Sequence, residues 1–268
     1  MSNFDGQLES ELTQCDLSSL KFVDAYGLVA LACAMNGGLR SGDDFELIPP
    51  SRASMRGHLA GMGFNEFLGD LGKPRMTGVG RKVDASDVVV PLSSAMDSGG
   101  EQAIVAMLWE QLQDQVGPQI LDAIGEGVWE MVANALEHSG ADACVMAQVY
   151  RADKGGTPPD HNDRVQVVIG DVGRGIRDSL ASSPAHDPET DLEAIDLALE
   201  YLVTSVHDDP GRGQGLSTTL EQVTSLGGQM IVRTGTGKLS VKDGRRHAET
   251  VAPLAGTVVA LSLPLYPG

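Results

Sequence analysis

The stretch Asp171-Val-Gly-Arg-Gly-Ile176 decides how this chain is read, because it follows directly on a β-branched run, Arg164-Val-Gln-Val-Val-Ile169. That run is bounded upstream by Asp160-His-Asn-Asp163 and predicts a strand. Glycines at 173 and 175 permit positive φ and let backbone approach a ligand closely. Asp171, at the strand's end, is an acceptor-only group when ionised. Such a group suits an exocyclic amine like that of adenine, and a missing partner there costs about 1–3 kcal/mol, which makes the contact discriminating. An ordinary turn uses the same residue types. A calcium loop would need further acidic ligands at spacings this stretch lacks.

Upstream, residues 119–139 carry apolar side chains at a 3.6-residue period, among them Ile120, Ile124, Val128, Met131 and Ala135. At about 100° per residue, Glu126, Glu130, Asn134 and Glu137 fall on the opposite side, with His138 at its margin. A carboxylate and an amide four residues apart lie one above the other. The amide oxygen can ligate a hard cation such as Mg2+, and the carboxylate can orient or deprotonate a nucleophile. The same residues also suit the wet face of any amphipathic helix. Gly125 and Gly127 cost the helix roughly 1 kcal/mol each against Ala. They point to close approach of something, or to the helix's true beginning.

Downstream, a helix is predicted over 190–206, capped by Thr190 or Asp191. Then comes Gly211-Arg212-Gly213-Gln214-Gly215-Leu216, leading into a further helix. Alternating glycines before a helix make an anion cradle from backbone N–H groups and the positive helix end. Arg174, Arg177 and Arg212 are basic points in a chain of formal net charge −18. This local reversal favours an anionic ligand, although glycine-rich surface loops are common.

The charge balance argues against general affinity for nucleic acid or anionic membrane. Cys15, Cys33 and Cys144 are odd in number, widely spaced and set among apolar residues, which reads as reduced core thiols. The start of the chain lacks a basic flank and apolar core, and residues 22–35 are too short and interrupted to span a bilayer. A cytoplasmic protein is expected. Neither a P-loop nor a first-strand dinucleotide fingerprint is present.

What the three ordered elements resemble is the GHKL family of ATP-binding domains, which includes histidine kinases, gyrase and mismatch-repair ATPases, the heat-shock chaperone ATPase and anti-sigma-factor serine kinases. The resemblance covers residues 99–268 and takes in Gly227-Gly-Gln-Met-Ile-Val-Arg233 and the run from Gly256-Thr257 to Leu265 as strands. It implies an α/β fold, an α+β sandwich of Bergerat type with a mixed, mostly antiparallel sheet and helices on one face. It makes Glu130 the catalytic or water-positioning carboxylate, Asn134 the Mg2+ ligand, and Asp171 the adenine-binding group with Gly173 and Gly175 in the turn beneath. Gly211, Arg212, Gly213, Gln214, Gly215 and Leu216 become the phosphate loop of an ATP lid. Thr257 would support Asp171 through its hydroxyl, and His138 would lie near the phosphates. ATP and Mg2+ are the implied cofactors.

Residues 1–75 resemble the second half of a STAS domain, the anti-anti-sigma type, as a small α/β module. A strand is predicted over 16–23, a helix over 24–37 ending at Gly37-Gly38, a strand over 45–48 and a helix over 51–59. The family's earlier strands have no counterpart, so the module is expected to be truncated. Its phosphorylatable hydroxyl aligns with Ala25, so no phosphate acceptor is expected there. Residues 76–98, rich in Gly, Pro, Ser and charge, read as linker plus a first strand at Val88-Val-Val90.

The expected function is that of a Mg-ATP-binding regulatory protein resembling the anti-sigma-factor serine kinases, acting on or switching an unidentified regulatory protein. A non-kinase ATPase or ATP-dependent interaction switch stays open, as does a nucleotide-binding scaffold without turnover. The segment before Gly99 does not supply a sensor kinase's two-helix dimerisation region, and no transducer domain follows the last strand. The truncated module would expose a sheet edge that a homodimer or another protein could cover.

Overall fold

The computed structural model describes residues 14–80, 87–95, 98–139, 143–151, 163–182, 186–200 and 215–265. Its centre is a five-stranded sheet of β3 (Val88–Ala95), β4 (Ala143–Tyr150), β5 (Arg164–Gly170), β6 (Gln229–Lys242) and β7 (Arg245–Pro264). The strand order is β3-β4-β5-β7-β6 and every neighbouring pair is antiparallel. Parallel pairing occurs apart from it, in a two-stranded sheet of β1 (Gln14–Asp16) and β2 (Glu46–Ile48). The expected α+β fold is therefore present, with its parallel component confined to the N-terminal region.

β5 forms where the sequence predicts it, because Val165, Val167, Val168 and Ile169 are all buried and β-branched side chains fit a pleated sheet. Its last residue, Gly170, pairs with Cys144 of β4 and Val258 of β7. Asp171 thus leaves the middle strand of the sheet. β6 and β7 form one long hairpin turned by Asp243-Gly244, both at positive φ, as two-residue hairpin turns require.

One face of the sheet carries α4 (Ser98–Leu112), α5 (Pro118–Ser139), α7 (Asp191–Ala198) and α8 (Gly215–Ser225) over an apolar layer that includes Leu108, Ile124, Val128, Ile195 and Val223. α5 matches the predicted helix, and its predicted apolar side is the buried one. Gly127 explains one of the two glycines: a Cβ there would come within 2.8 Å of Leu261 Cδ1 and 3.2 Å of Thr219 Cγ2. The close approach is that of β7 and α8 to α5.

The opposite face is covered by α1 (Ala25–Arg40). Its core residues share one cluster with Cys144, Met146, Val168, Val258 and Ala260 of the sheet. Cys33 Sγ lies over Gly170, where a Cβ would sit 2.6 Å away. The N-terminal module expected beside the sandwich is therefore its third layer, joined by α2 (Ala53–Gly61) and α3 (Phe64–Asp70), which pack against each other. All three cysteines are buried and unbridged.

Several boundaries differ from the predicted ones. β1 occupies Gln14–Asp16, whereas residues 17–24 form a turn and extended chain that lead into the helix. Gly37 does not end α1, because its missing Cβ lets Ala255 approach (3.3 Å from the built Cβ) while the helix runs on to Arg40. α7 stops at Ala198, short of the predicted end, and residues 201–206 lie outside the described residues.

Candidate functional site

The site is built from two clusters on the α5 side of the sheet. The first surrounds Asp171. Its backbone N–H donates to Thr257 O at 2.8 Å, which locks the residue to β7 one step beyond the β5–β7 ladder. Its Oδ1 accepts the Gly173 N–H at 2.7 Å. Gly256, at φ +80°, passes so close that any Cβ would run into the Asp171 carbonyl, so only glycine fits. Burial pushes the Asp171 carboxyl up to about 6, against the opposing pull of the Gly173 and Thr257 backbone N–H groups.

Gly175, at φ +77°, opens α6 (Gly175–Ala181), and a Cβ there would lie 2.7 Å from Thr234 Oγ1. That hydroxyl ties the cluster together. It accepts the Ile176 N–H at 3.1 Å and donates to Gly256 O at 2.9 Å, while Thr257 Oγ1 donates to it at 3.5 Å. Thr257 thus supports Asp171 through its backbone, and its hydroxyl turns to Thr234 instead. Thr234 was not anticipated. Its one sequence signal is a hydroxyl inside the apolar run Met230-Ile-Val-Arg-Thr234.

The second cluster lies on α5. Asn134 Nδ2 donates to Glu130 Oε1 at 3.2 Å, the one-turn juxtaposition expected from the spacing. Gly215, the first residue of α8, presses against Glu130 so closely that a Cβ would overlap the carboxyl. α8 has no acidic residue in its first turn, so Glu130 is the carboxylate at its electropositive start. Leu216 packs against the apolar layer and anchors that start. Glu126, on the same side of α5, accepts from Gln222 Nε2 of α8 at 2.5 Å.

Gly211, Arg212, Gly213 and Gln214 lie outside the described residues, as does the side chain of His138, whose backbone belongs to α5. Arg174 and Arg177 are exposed, and Arg177 Nε donates to Pro188 O at 3.2 Å. Asp191, one of the two predicted caps, instead accepts the Thr236 N–H at 2.7 Å and its hydroxyl at 2.8 Å, while Thr190 caps α7. Thr234 and Thr257 pair with each other two residues beyond Val232 and Val259 of the α5-side layer, so their side chains lie on that same face of the sheet.

Among the described residues no three His, Cys, Asp or Glu side chains gather as a protein-only metal site. Among the described residues Asn134 offers an amide oxygen to a cation, whose other oxygens would come from phosphate or water. Ala25, where the STAS-like pattern would place an acceptor hydroxyl, is fully buried and donates its N–H to Tyr150 Oη at 3.0 Å. No helix of the described residues is long and apolar enough to cross a membrane. No protein-family model matches the chain, and no curated protein matches it either.

Proposed function

We propose that the chain is a Mg-ATP-binding regulatory protein that acts on, or switches, a partner protein. The observation that carries this reading is Asp171: a partly buried carboxylate at the end of the central strand, held by backbone N–H groups and destabilised by burial. A buried ionised acceptor of this kind is satisfied by a ligand that brings a donor, as the adenine amine does. On α5, the Glu130–Asn134 pair and the start of α8 offer what a phosphate end needs: a hard-cation ligand, a carboxylate and a positive helix terminus. Nucleotide, when bound, supplies a transferable phosphoryl group. Asn134 Oδ1 would face the cation, since Nδ2 is directed at Glu130, and Glu130 would take the proton of an incoming hydroxyl or water.

The contact between Gly215 and Glu130 favours a second reading. Glu130 could serve as the anion at the start of α8, and nucleotide would then bind without turnover, as in an interaction switch or scaffold. Incubation of the full chain with γ-labelled ATP and Mg2+, alone and with candidate partner proteins, separates the readings. Label on protein indicates a kinase, free labelled phosphate an ATPase, and binding with neither indicates a switch. Absence of any bound nucleotide would remove the reading altogether.

A further inference from the structure

Both tryptophans of the chain lie on one helical hairpin, and both are exposed: Trp109 of α4 by 43% and Trp129 of α5 by 50%. They flank one spot. The Trp109 indole Nε1 is the group nearest Gly125, 3.6 Å from where its Cβ would be. Trp129 follows Gly125 by four residues, one turn along the same side of α5. The missing side chain at 125 leaves a shelf between the two indoles. Tryptophan is highly buried on average, and it is enriched at the binding centres of protein interfaces. A pair of exposed indoles on one shelf is the surface of a docking site.

The charge around the shelf states what it fits. From Ser98 to Ser139 the sequence has seven carboxylates and no Lys or Arg. Glu110 and Asp114, at and just after the end of α4, and Asp122 on α5 are exposed. Indole is the best of the aromatic faces for a cation, and arginine can stack on it while pairing with a carboxylate. A second copy would instead bring a net −18 chain and another acidic hairpin against this one. We propose that the α4–α5 face docks a partner protein through an arginine-rich amphipathic segment, with aliphatic side chains on the indoles and guanidinium groups on the rings and carboxylates. The face lies on the same helix as Glu130 and Asn134, yet the inference stands whether or not nucleotide binds there.

The test uses the full chain labelled with 15N, in which the two indole N–H resonances report on this face alone. The probe is a helix-forming peptide of about five turns, roughly 18 residues, with Arg on one side and Leu on the other. Controls replace its Arg by Glu, or its Leu by Ser. Both indole resonances are expected to shift with the Arg–Leu peptide and with neither control. Affinity is expected to fall about 10-fold or more in Trp109→Ala/Trp129→Ala and in Glu110→Gln/Asp122→Asn. The second variant carries the affinity test if the first does not fold. The proposal is overturned if about millimolar Arg–Leu peptide leaves the indole resonances unmoved, or if the Glu peptide moves them equally. It is overturned as well if they shift with protein concentration alone, which assigns the face to a second copy, or with neutral phospholipid vesicles, which assigns it to a membrane.

Discussion

Asp171→Asn is expected to make the protein more stable at neutral pH while it loses its ligand. Burial raises the folded carboxyl from its ordinary 3.8 to about 6, so the folded state holds this proton more tightly than the unfolded chain does. Stability therefore falls as pH rises from about 4 through 6 and levels off above. Two units at about 1.4 kcal/mol each make the ionised carboxylate cost about 3 kcal/mol at pH 7.5, against about 1.6 kcal/mol at pH 5. Asparagine is neutral at both. The stability difference between variant and parent should accordingly grow by about 1.4 kcal/mol in favour of the variant between pH 5 and 7.5. Urea unfolding at the two pH values measures it. Asn keeps an oxygen for the Gly173 N–H but replaces an acceptor with a donor, so adenine nucleotide affinity should drop by about 1–3 kcal/mol, roughly 5- to 150-fold. A stability difference flat with pH would refute the raised carboxyl, and unchanged nucleotide affinity would refute its role.

Four further outcomes are expected. Nucleotide affinity of the parent should weaken as pH falls below about 6, since the protonated Asp171 is no longer a pure acceptor; a profile flat from pH 7.5 to 5 contradicts this. Glu130→Ala should keep nucleotide binding and lose any hydrolysis or transfer, whereas Asn134→Ala should weaken both; full turnover in Glu130→Ala would leave Glu130 only its contact with α8. Gly170→Ala would bring a Cβ to 2.6 Å from Cys33 Sγ and 2.9 Å from Val29 Cγ1, destabilising by about 1–3 kcal/mol, and Cys33→Ala should relieve part of that cost in a double-mutant cycle. Removal of residues 1–75 takes Leu28, Val29, Leu31 and Met35 from the second face of the sheet, together about 6–12 kcal/mol of burial, as much as a domain's net stability. The remaining fragment should be unfolded or aggregated by light scattering and circular dichroism; a soluble, cooperatively folding fragment would show that the sheet stands without α1.

Much of the fold was legible because pattern and environment agree. α5 keeps its apolar period because one side is buried on β5 and β7, and β5 reads as a strand because its valines and Ile169 are buried in a pleated sheet. The glycines were harder. Gly37 looks like a helix end, yet it serves an approach to Ala255, whereas Gly127 signalled a close approach without saying that β7 and α8 make it, since a distant partner is not named locally. β4 went unpredicted although Ala143–Tyr150 is apolar but for Gln148, since periodicity alone does not separate such a run from a helix segment. The first strand read at Val88-Val-Val90 is the start of β3, an edge strand of the sheet, whereas the packing of α1 on the sheet's second face was not legible, because it joins segments far apart in the chain. At the site, the Glu130–Asn134 spacing and the Asp171–Gly173 turn were local and readable. Thr234 and Gly256 were not, because their partners lie across the sheet or from β7 to Asp171.

Equilibrium dialysis of the full chain against labelled ATP, with and without Mg2+, addresses the nucleotide reading most directly. The account predicts one saturable site per chain, tighter with Mg2+ and lost or sharply weakened in Asp171→Asn. No retention of label at nucleotide concentrations up to about 1 mM, the upper end of usual substrate affinities, would contradict it.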